Sequence, residues 1–295
     1  MANLKEIRGR IESVKSTRQI TSAMKMVAAS RLRKAQDAII QLRPYANKLH
    51  EIFRHVSASI SLDGDSPYVK VRPTEKVLII MVTSNRGLCG SFNSNVIKET
   101  VSLINNKYHT QYLEGNVFIY AIGKKGHDVL KKRDYNIYRF DSSVTDQLDF
   151  EKSAVIAGDL MDKYVSEEFD VIELVYNKFK NAAVQILTKE QFLPVKITDE
   201  MKEKQELAET DYIFEPSKKE IVEDLIPKSL KIQFYRCLLD SSTSEHGARM
   251  TAMHQATDNA TDMIRDLQLS YNKARQASIT SELIEIVSGA SALKG

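Results

Sequence analysis

Apolar residues recur along the N-terminal part of the chain at the spacing of an α-helix. The stripe advances in steps of three and four residues and is interrupted by a polar stretch around Thr17 and Thr21. It consists of Leu4, Ile7, Ile11, Val14, Met24, Ala28, Leu32, Ala35, Ile39, Leu42, Ala46 and Leu49. At 1.5 Å per residue, a helix over residues 3–57 would be roughly 80 Å long, and Pro44 inside it predicts a kink. A helix of this length cannot bury its apolar stripe in a small core, so it needs another element to pack against.

The C-terminal part carries a second helical stripe that alternates steps of three and four residues without a break. Its members are Met250, Met253, Thr257, Ala260, Ile264, Leu267, Tyr271, Ala274 and Ser278. A strict heptad of this kind is the seam of a left-handed coiled coil. Pro227 fits the first turn of such a helix, where its missing N–H is tolerated. The simplest arrangement pairs the two terminal helices in an antiparallel coil.

Between these helices the pattern changes to short strands that alternate with helices. The run Val77–Thr83 is apolar at every position before Thr83, as in a strand buried on both faces. Further strands are predicted at 117–122, 137–140, 171–176 and 183–187, with helices at 93–106, 125–132 and 150–166. The last two strands are separated by a short turn and should pair antiparallel, whereas strand–helix alternation predicts a mostly parallel sheet.

The predicted fold class is therefore α/β with long helices: an antiparallel left-handed coiled coil of the N- and C-terminal helices plus a central Rossmann-like α/β domain. The predicted domains are a coil helix at 1–58, an α/β domain at 75–195 and a second coil helix at 216–288 that pairs with the first. The acidic, polar stretch 199–224 resembles a connection back to the coil.

Composition narrows the class of protein further. The 295 residues are 42% hydrophobic and 27% charged, which is typical of a globular protein. The longest apolar run, Val77–Val82, is far shorter than the roughly 20 residues of a membrane span, so no direct membrane insertion is expected. The only cysteines, Cys89 and Cys237, do not form a disulfide framework and indicate a reducing compartment. No secretion signal is recognisable.

The charge is unevenly distributed, because residues 1–56 carry twelve Lys or Arg against four Asp or Glu, or +8, within a chain of net charge +3. Three interpretations fit this basic helix: a solvated face, a nucleic-acid surface, or a surface for an acidic protein partner. Few aromatic residues are interleaved, which disfavours nucleic acid.

The loop Ser84–Ser91 is the strongest candidate for chemistry, because it follows a strand and opens a helix. Its Gly87 and Gly90 match neither a dinucleotide fingerprint nor a P-loop. Cys89 would need a histidine base, and no spacing selects one. His246 and His254 belong to no metal-ligand pattern. The sequence therefore predicts a structural turn and no catalytic, cofactor-binding or metal-binding residues.

Four stretches together resemble one family. They are Ile20–Ala29 with Leu32–Ala35, Ser84–Asn93, Tyr212–Pro216, and the helix segments Ala248–Met253, Ala256–Ala260 and Tyr271–Thr280. In this order they are similar to the gamma subunit of bacterial F-type ATP synthases, and the similarity spans the chain.

The resemblance implies a central rotor shaft without catalytic activity, inside a ring of alpha and beta subunits. It also implies contacts with the epsilon subunit and the membrane rotor c-ring, and a peripheral location on the cytoplasmic face of the bacterial inner membrane. By similarity, the beta contacts are Arg275, Gln276, Thr280, Met24 and Arg249. An apolar bearing tip would comprise Leu283, Ile284, Ile286 and Val287, and the c-ring contact Tyr212, Phe214 and Glu215.

Other functions remain as alternatives. A non-catalytic coiled-coil adaptor explains the helices but not the motifs, and the shaft of a vacuolar-type ATPase would lack the strands. A hydrolase using Cys89 is the enzymatic alternative. Chloroplast relatives carry an inserted cysteine pair that acts as a redox switch; no such insertion is present here, so no switch is expected.

Overall fold

The computed structural model describes residues 4–58, 67–146, 148–195 and 218–292. The chain divides into a terminal unit, residues 1–28 with 250–295, and a central unit, residues 29–249. The elements are α1 Leu4–Ala58, β1 Val77–Val82, α2 Phe92–Lys107, α3 His109–Leu113, β2 Val117–Ile122, α4 Lys124–Lys131, β3 Ile137–Asp141, α5 Ser143–Asp146, α6 Phe150–Val165, β4 Val171–Phe179, β5 Gln185–Leu193 and α7 Lys218–Ala292.

The central unit contains a five-stranded sheet in the order β3-β2-β1-β4-β5. The first four strands are parallel, and β5 pairs antiparallel with β4. This confirms the predicted Rossmann-like layer and its antiparallel last pair. The short helices α3 and α5 were not predicted from the sequence, and β5 begins two residues later and ends six residues later than the predicted strand 183–187.

Both faces of the sheet are covered, and this explains why β1 is apolar at every position. Alternate residues of a strand point to opposite faces. Leu78 and Ile80 enter the core under α6, whereas Ile79 and Met81 enter the core under α2 and α4. The first core also receives residues of α7, which are Ile226, Leu230, Phe234, Cys237 and Leu238. The early part of α7 is thus a layer of the α/β domain.

The start of α7 corrects two expectations. The helix begins at Lys218, so Pro227 lies inside it and not in its first turn, and residues 218–224 are helical and not a connection. A proline inside a helix removes one backbone hydrogen bond. The neighbouring Ile226 and Leu230 are buried against the sheet, and burial of two such side chains gives about 3–6 kcal/mol. Packing therefore outweighs the missing bond.

In the terminal unit, α1 and α7 pair along the predicted seam. Ile7, Ile11 and Ala28 are buried on α1, and Met253, Ala260 and Ile264 are buried on α7. The next seam positions, Tyr271, Ala274 and Ser278, are half-buried, while their neighbours are exposed. The heptad prediction is confirmed. Over the described ranges, no helix is both long and apolar enough to cross a bilayer.

Candidate partner-binding site

The pairing of the terminal unit is fixed by a polar contact at its centre. The hydroxyl of Thr257 donates to the hydroxyl oxygen of Thr21 at 2.9 Å. Counting along antiparallel helices from this pair places Leu4 beside residue 274. The α7 helix continues to Ala292, beyond the first described residue of α1. At 1.5 Å per residue, the 18 residues after position 274 extend it by roughly 27 Å.

This extension carries the predicted bearing tip. Leu283, Ile284, Ile286 and Val287 are 56%, 60%, 67% and 63% exposed. Every residue from 281 to 291 is exposed. Large apolar side chains grouped in this way mark a surface that another molecule covers. The role of these four residues as a bearing stays a prediction.

The predicted beta contacts Arg275, Gln276 and Thr280 lie just before the tip. All three are exposed, and the Thr280 hydroxyl donates to the Gln276 carbonyl at 2.9 Å. Gln276, Thr280, Leu283 and Val287 follow each other at steps of four, three and four, so they form one stripe on the helix. The structure therefore brings Gln276, Thr280 and part of the tip onto one surface, and Arg275 lies next to that stripe.

Met24 lies in the same unit and is half-buried on α1, three residues after the seam residue Thr21. The adjacent Met26 and Val27 are 66% and 55% exposed.

The predicted c-ring contact lies outside the described residues; it consists of Tyr212, Phe214 and Glu215. Their assignment stays a prediction.

Arg249 belongs to the central unit and is only 12% exposed. Its guanidinium donates to the carboxylate of Glu245 at 2.6 Å and to the carbonyls of Arg86 and Gly87 at 3.1 and 3.3 Å. Arg249 therefore fastens the β1–α2 loop to α7. The residue was predicted as a beta contact, and that role stays a prediction.

The β1–α2 loop is held by further polar contacts. Asn93 accepts from the Ser84 amide at 2.9 Å, and the Asn85 side chain donates to the Ser142 carbonyl at 2.8 Å and accepts from the Lys124 amide at 3.1 Å. Leu88 and Gly90 have φ values of 63° and 59°, the left-handed region that glycine adopts readily. The contacts support the prediction of a structural turn.

Cys89 is buried within this loop. Its sulfur accepts from the Asn93 side-chain amide at 3.3 Å and lies 3.7 Å from the Ser84 hydroxyl. Burial raises the pKa of the Cys89 thiol, with smaller contributions from its hydrogen bonds and nearby charges. A nucleophilic cysteine needs a lowered pKa, so this environment disfavours the alternative of a Cys89 hydrolase.

The surroundings of two polar side chains in the central unit were not predicted from the sequence. The carboxylate of Glu173, on the interior strand β4, is buried and accepts hydrogen bonds from Lys107 and from the Tyr108 hydroxyl, the latter at 2.7 Å. His246 is half-buried with its Nδ1 atom enclosed and unbonded among the described atoms. A charged residue within an apolar strand was the available signal for Glu173. His246 gave none, because α7 alone does not show what faces it.

Comparisons with known proteins agree with this architecture. The family model described as ATP synthase matches residues 3–293. The chain is 55% identical to the ATP synthase gamma chains of Christiangramia forsetii and Flavobacterium johnsoniae, and each alignment covers all of both chains. Among solved structures, it is similar to a chain of the Euglena gracilis mitochondrial ATP synthase, with a TM-score of 0.69 and 22% identity over 98% of this chain and 94% of that one.

A second solved chain comes from the central stalk and c-ring structure of the Tetrahymena thermophila mitochondrial ATP synthase. It aligns with a TM-score of 0.57 and 26% identity over 80% of this chain and 99% of that one. The shared sheet, the paired terminal helices and the full-length identity to bacterial relatives lead to one assignment. This chain belongs to the ATP synthase gamma chain family.

Proposed function

We propose that this chain is the central rotor shaft of an F-type ATP synthase, coupling proton flow through the membrane rotor ring to conformational changes at the catalytic beta subunits. As a gamma chain it is a non-catalytic subunit of that complex. The observation that carries the proposal is the end of α7, where residues 281–291 are all exposed and four large apolar side chains meet no partner within the described chain.

The extension fits a sleeve formed by three alpha and three beta subunits. Apolar side chains distributed around a helix make no directional bonds, so they slide within an apolar ring at low cost. Burial of this apolar surface would also favour the complex, because it removes apolar area from water. The bearing tip is therefore Leu283, Ile284, Ile286 and Val287 in this proposal.

The polar residues before the tip provide the directional contact. Arg275 and Gln276 are exposed donors, and Thr280 lies one turn beyond them. A guanidinium and a side-chain amide form strong bonds with carboxylates and carbonyls, which a beta subunit can offer in one conformation and withdraw in another. Met24 and Arg249 are the proposed lower beta contacts, with Arg249 acting near the β1–α2 loop that it holds.

The coupling mechanism follows from a mismatch of symmetry. One shaft inside a threefold ring touches the three beta subunits with different residues, and each contact favours a different beta conformation. A ligand or partner shifts an equilibrium only by its differential affinity for the states. Rotation moves this bias from one catalytic site to the next.

The remaining partners and the location complete the proposal. The central unit stands beside the epsilon subunit and on the rotor ring, with Tyr212, Phe214 and Glu215 as the ring contact. In this proposal the chain is a peripheral subunit at the cytoplasmic face of a bacterial inner membrane. The full-length relatives from Christiangramia forsetii and Flavobacterium johnsoniae support a bacterial assembly.

Reconstitution tests the proposal. The full chain is mixed with matching alpha and beta subunits, and both stoichiometry and ATP hydrolysis are measured. We expect one copy for three alpha–beta pairs and hydrolysis only in the complex. A chain ending at Ser278 is the matched variant, because it keeps the seam and removes the bearing tip. A full-length chain that stays monomeric or dimeric beside alpha and beta would instead support the coiled-coil adaptor.

A further inference from the structure

The central unit contains a cleft of about 680 Å³ between α1, the β1–α2 loop, the α5 region and α7. Two stripes with the same spacing face it. Arg31, Lys34, Ala35 and Ala38 lie on α1 at positions i, i+3, i+4 and i+7, and Ser242, Glu245, His246 and Arg249 do so on α7. Such spacing places each set on one side of its helix.

The lining is strongly basic. Its charged groups are Arg31, Lys34, Arg86 and Arg249 against the single carboxylate of Glu245, and that carboxylate is bonded to Arg249 at 2.6 Å. No ion pair joins Arg31, Lys34 or Arg86 to any of the described acidic side chains. Three exposed cations therefore line one cleft without an ion-pair partner among the described residues.

His246 on α7 lies in the wall of the same cleft. The Nδ1 atom of His246 is enclosed and has no hydrogen-bond partner among the described atoms. An unmet buried polar atom costs about 1–3 kcal/mol, which proteins normally avoid. Burial, Arg249 and Arg31 together lower the pKa of His246 to about 4, so its ring is neutral at pH 7. One ring nitrogen of a neutral imidazole donates a hydrogen bond.

We propose that this cleft binds a phosphate group, supplied either by inorganic phosphate or by a nucleotide. Guanidinium and ammonium groups form charge-assisted hydrogen bonds with phosphate oxygens. The cleft is within the range of small-molecule sites, roughly 300–1,000 Å³. Tyr235, Leu148 and Leu239 line it as well and offer apolar and aromatic surface to a nucleoside. The site lies beside the loop that follows β1, at the carboxyl end of a parallel sheet.

The test uses the purified full chain, with inorganic phosphate and ADP titrated separately at constant ionic strength. Binding is measured by calorimetry and by the imidazole NMR signals of His246. We expect a saturable shift of these signals, with the same midpoint as the calorimetric curve. A bound anion offsets the positive charges of Arg31 and Arg249, which lower the pKa of His246, and should therefore raise that pKa. If ADP binds more tightly than inorganic phosphate, the ligand of the cleft is a nucleotide. If the two bind equally, the ligand is free phosphate.

Single substitutions distinguish a specific phosphate site from non-specific attraction of anions to a basic surface. Arg31→Gln and Lys34→Gln change exposed side chains, so the fold should persist, and each should weaken binding about tenfold. Lys15→Gln, an exposed site of the same helix outside the cleft, is the matched control and should leave binding unchanged. Signals that do not move, or equal weakening by the control, would overturn the proposal. So would binding of a glutamate-rich peptide with no binding of phosphate.

Discussion

The hydroxyl of Thr257 donates a hydrogen bond to that of Thr21 across the seam of the terminal coil, at 2.9 Å, and lies 2.8 Å from the Met253 carbonyl. The Thr21 hydroxyl in turn donates to the Arg18 carbonyl at 3.1 Å. Two polar residues at facing seam positions satisfy each other only in one register. Such pairs specify alignment in coiled coils at some cost in stability.

Replacement of this pair should therefore show strong coupling. Thr257→Val leaves the Thr21 oxygen without its donor and should lower the free energy of unfolding by about 1 kcal/mol, because valine keeps the shape but not the hydroxyl. The double variant with Thr21→Val removes both polar groups and should recover most of that loss. Urea denaturation of the four proteins measures the coupling, and strictly additive effects would contradict it.

The hydrogen bonds of Arg249 to the β1–α2 loop lead to a prediction about the stability of that loop. Arg249→Gln removes the bonds to the Arg86 and Gly87 carbonyls and leaves the Glu245 carboxylate, 14% exposed, without its guanidinium. We expect a loss of about 2 kcal/mol of stability and faster amide exchange in residues 84–91. Hydrogen-exchange mass spectrometry measures the loop directly. Arg139→Gln, which removes a half-exposed pair with Asp159, should leave that loop protected.

His246 predicts a pH dependence of stability. Its pKa falls to about 4 in the folded chain because of burial and the nearby Arg249 and Arg31, against an ordinary value of 6.5. Between these values the unfolded state binds a proton that the folded state does not, so stability decreases as pH falls from about 6.5 towards 4.

The expected loss from pH 7 to pH 5 is about 1–2 kcal/mol from this residue. Urea denaturation at both pH values compares the natural chain with His246→Gln. The glutamine variant should lose less stability on acidification, because other groups titrate alike in both proteins. An identical loss in the two proteins would refute the assignment, as would an NMR titration of His246 with a midpoint near 6.5.

Two helical glycines of the central unit should respond oppositely to alanine. A Cβ atom at Gly126 would lie 2.4 Å from Met81 Cε and 2.7 Å from Thr83 Oγ1, whereas at Gly158 it would meet nothing within 4 Å. Gly126→Ala should destabilise by about 1–3 kcal/mol through overpacking. Gly158→Ala should stabilise by about 0.5–1 kcal/mol, since alanine loses less backbone entropy in a helix. Urea denaturation measures the free energy of unfolding of both variants. A Gly126→Ala protein as stable as the natural chain would contradict close packing around Gly126.

The proposed beta contact predicts a defect in coupling without a defect in folding. Arg275→Gln with Gln276→Leu alters only exposed side chains, so the melting temperature of the isolated chain should stay unchanged. Proton-driven ATP synthesis by the reconstituted complex should fall severalfold, because the directional contact with beta is lost. Lys273→Gln, an exposed neighbour, is the control. Unchanged synthesis by the double variant would refute the assignment of these two residues.

The sequence by itself determined the coil and most of the sheet. The steps of three and four from Met250 to Ser278 identify a seam because helix geometry repeats every 3.6 residues, whatever the partner is. The unbroken apolar run of β1 likewise indicates a strand covered on both faces. The exposed apolar tip was also readable, since apolar residues all round a helix exceed what one seam can bury.

Only the tertiary structure decided which distant residues meet. That Arg249 reaches the Gly87 carbonyl, and that His246 faces Arg31, depends on how separate segments pack, and no local pattern encodes such contacts. The start of α7 was decided in the same way. Propensity suggests a helix beginning at Pro227, but burial of Ile226 and Leu230 against the sheet outweighs one lost backbone bond, so the helix runs through the proline.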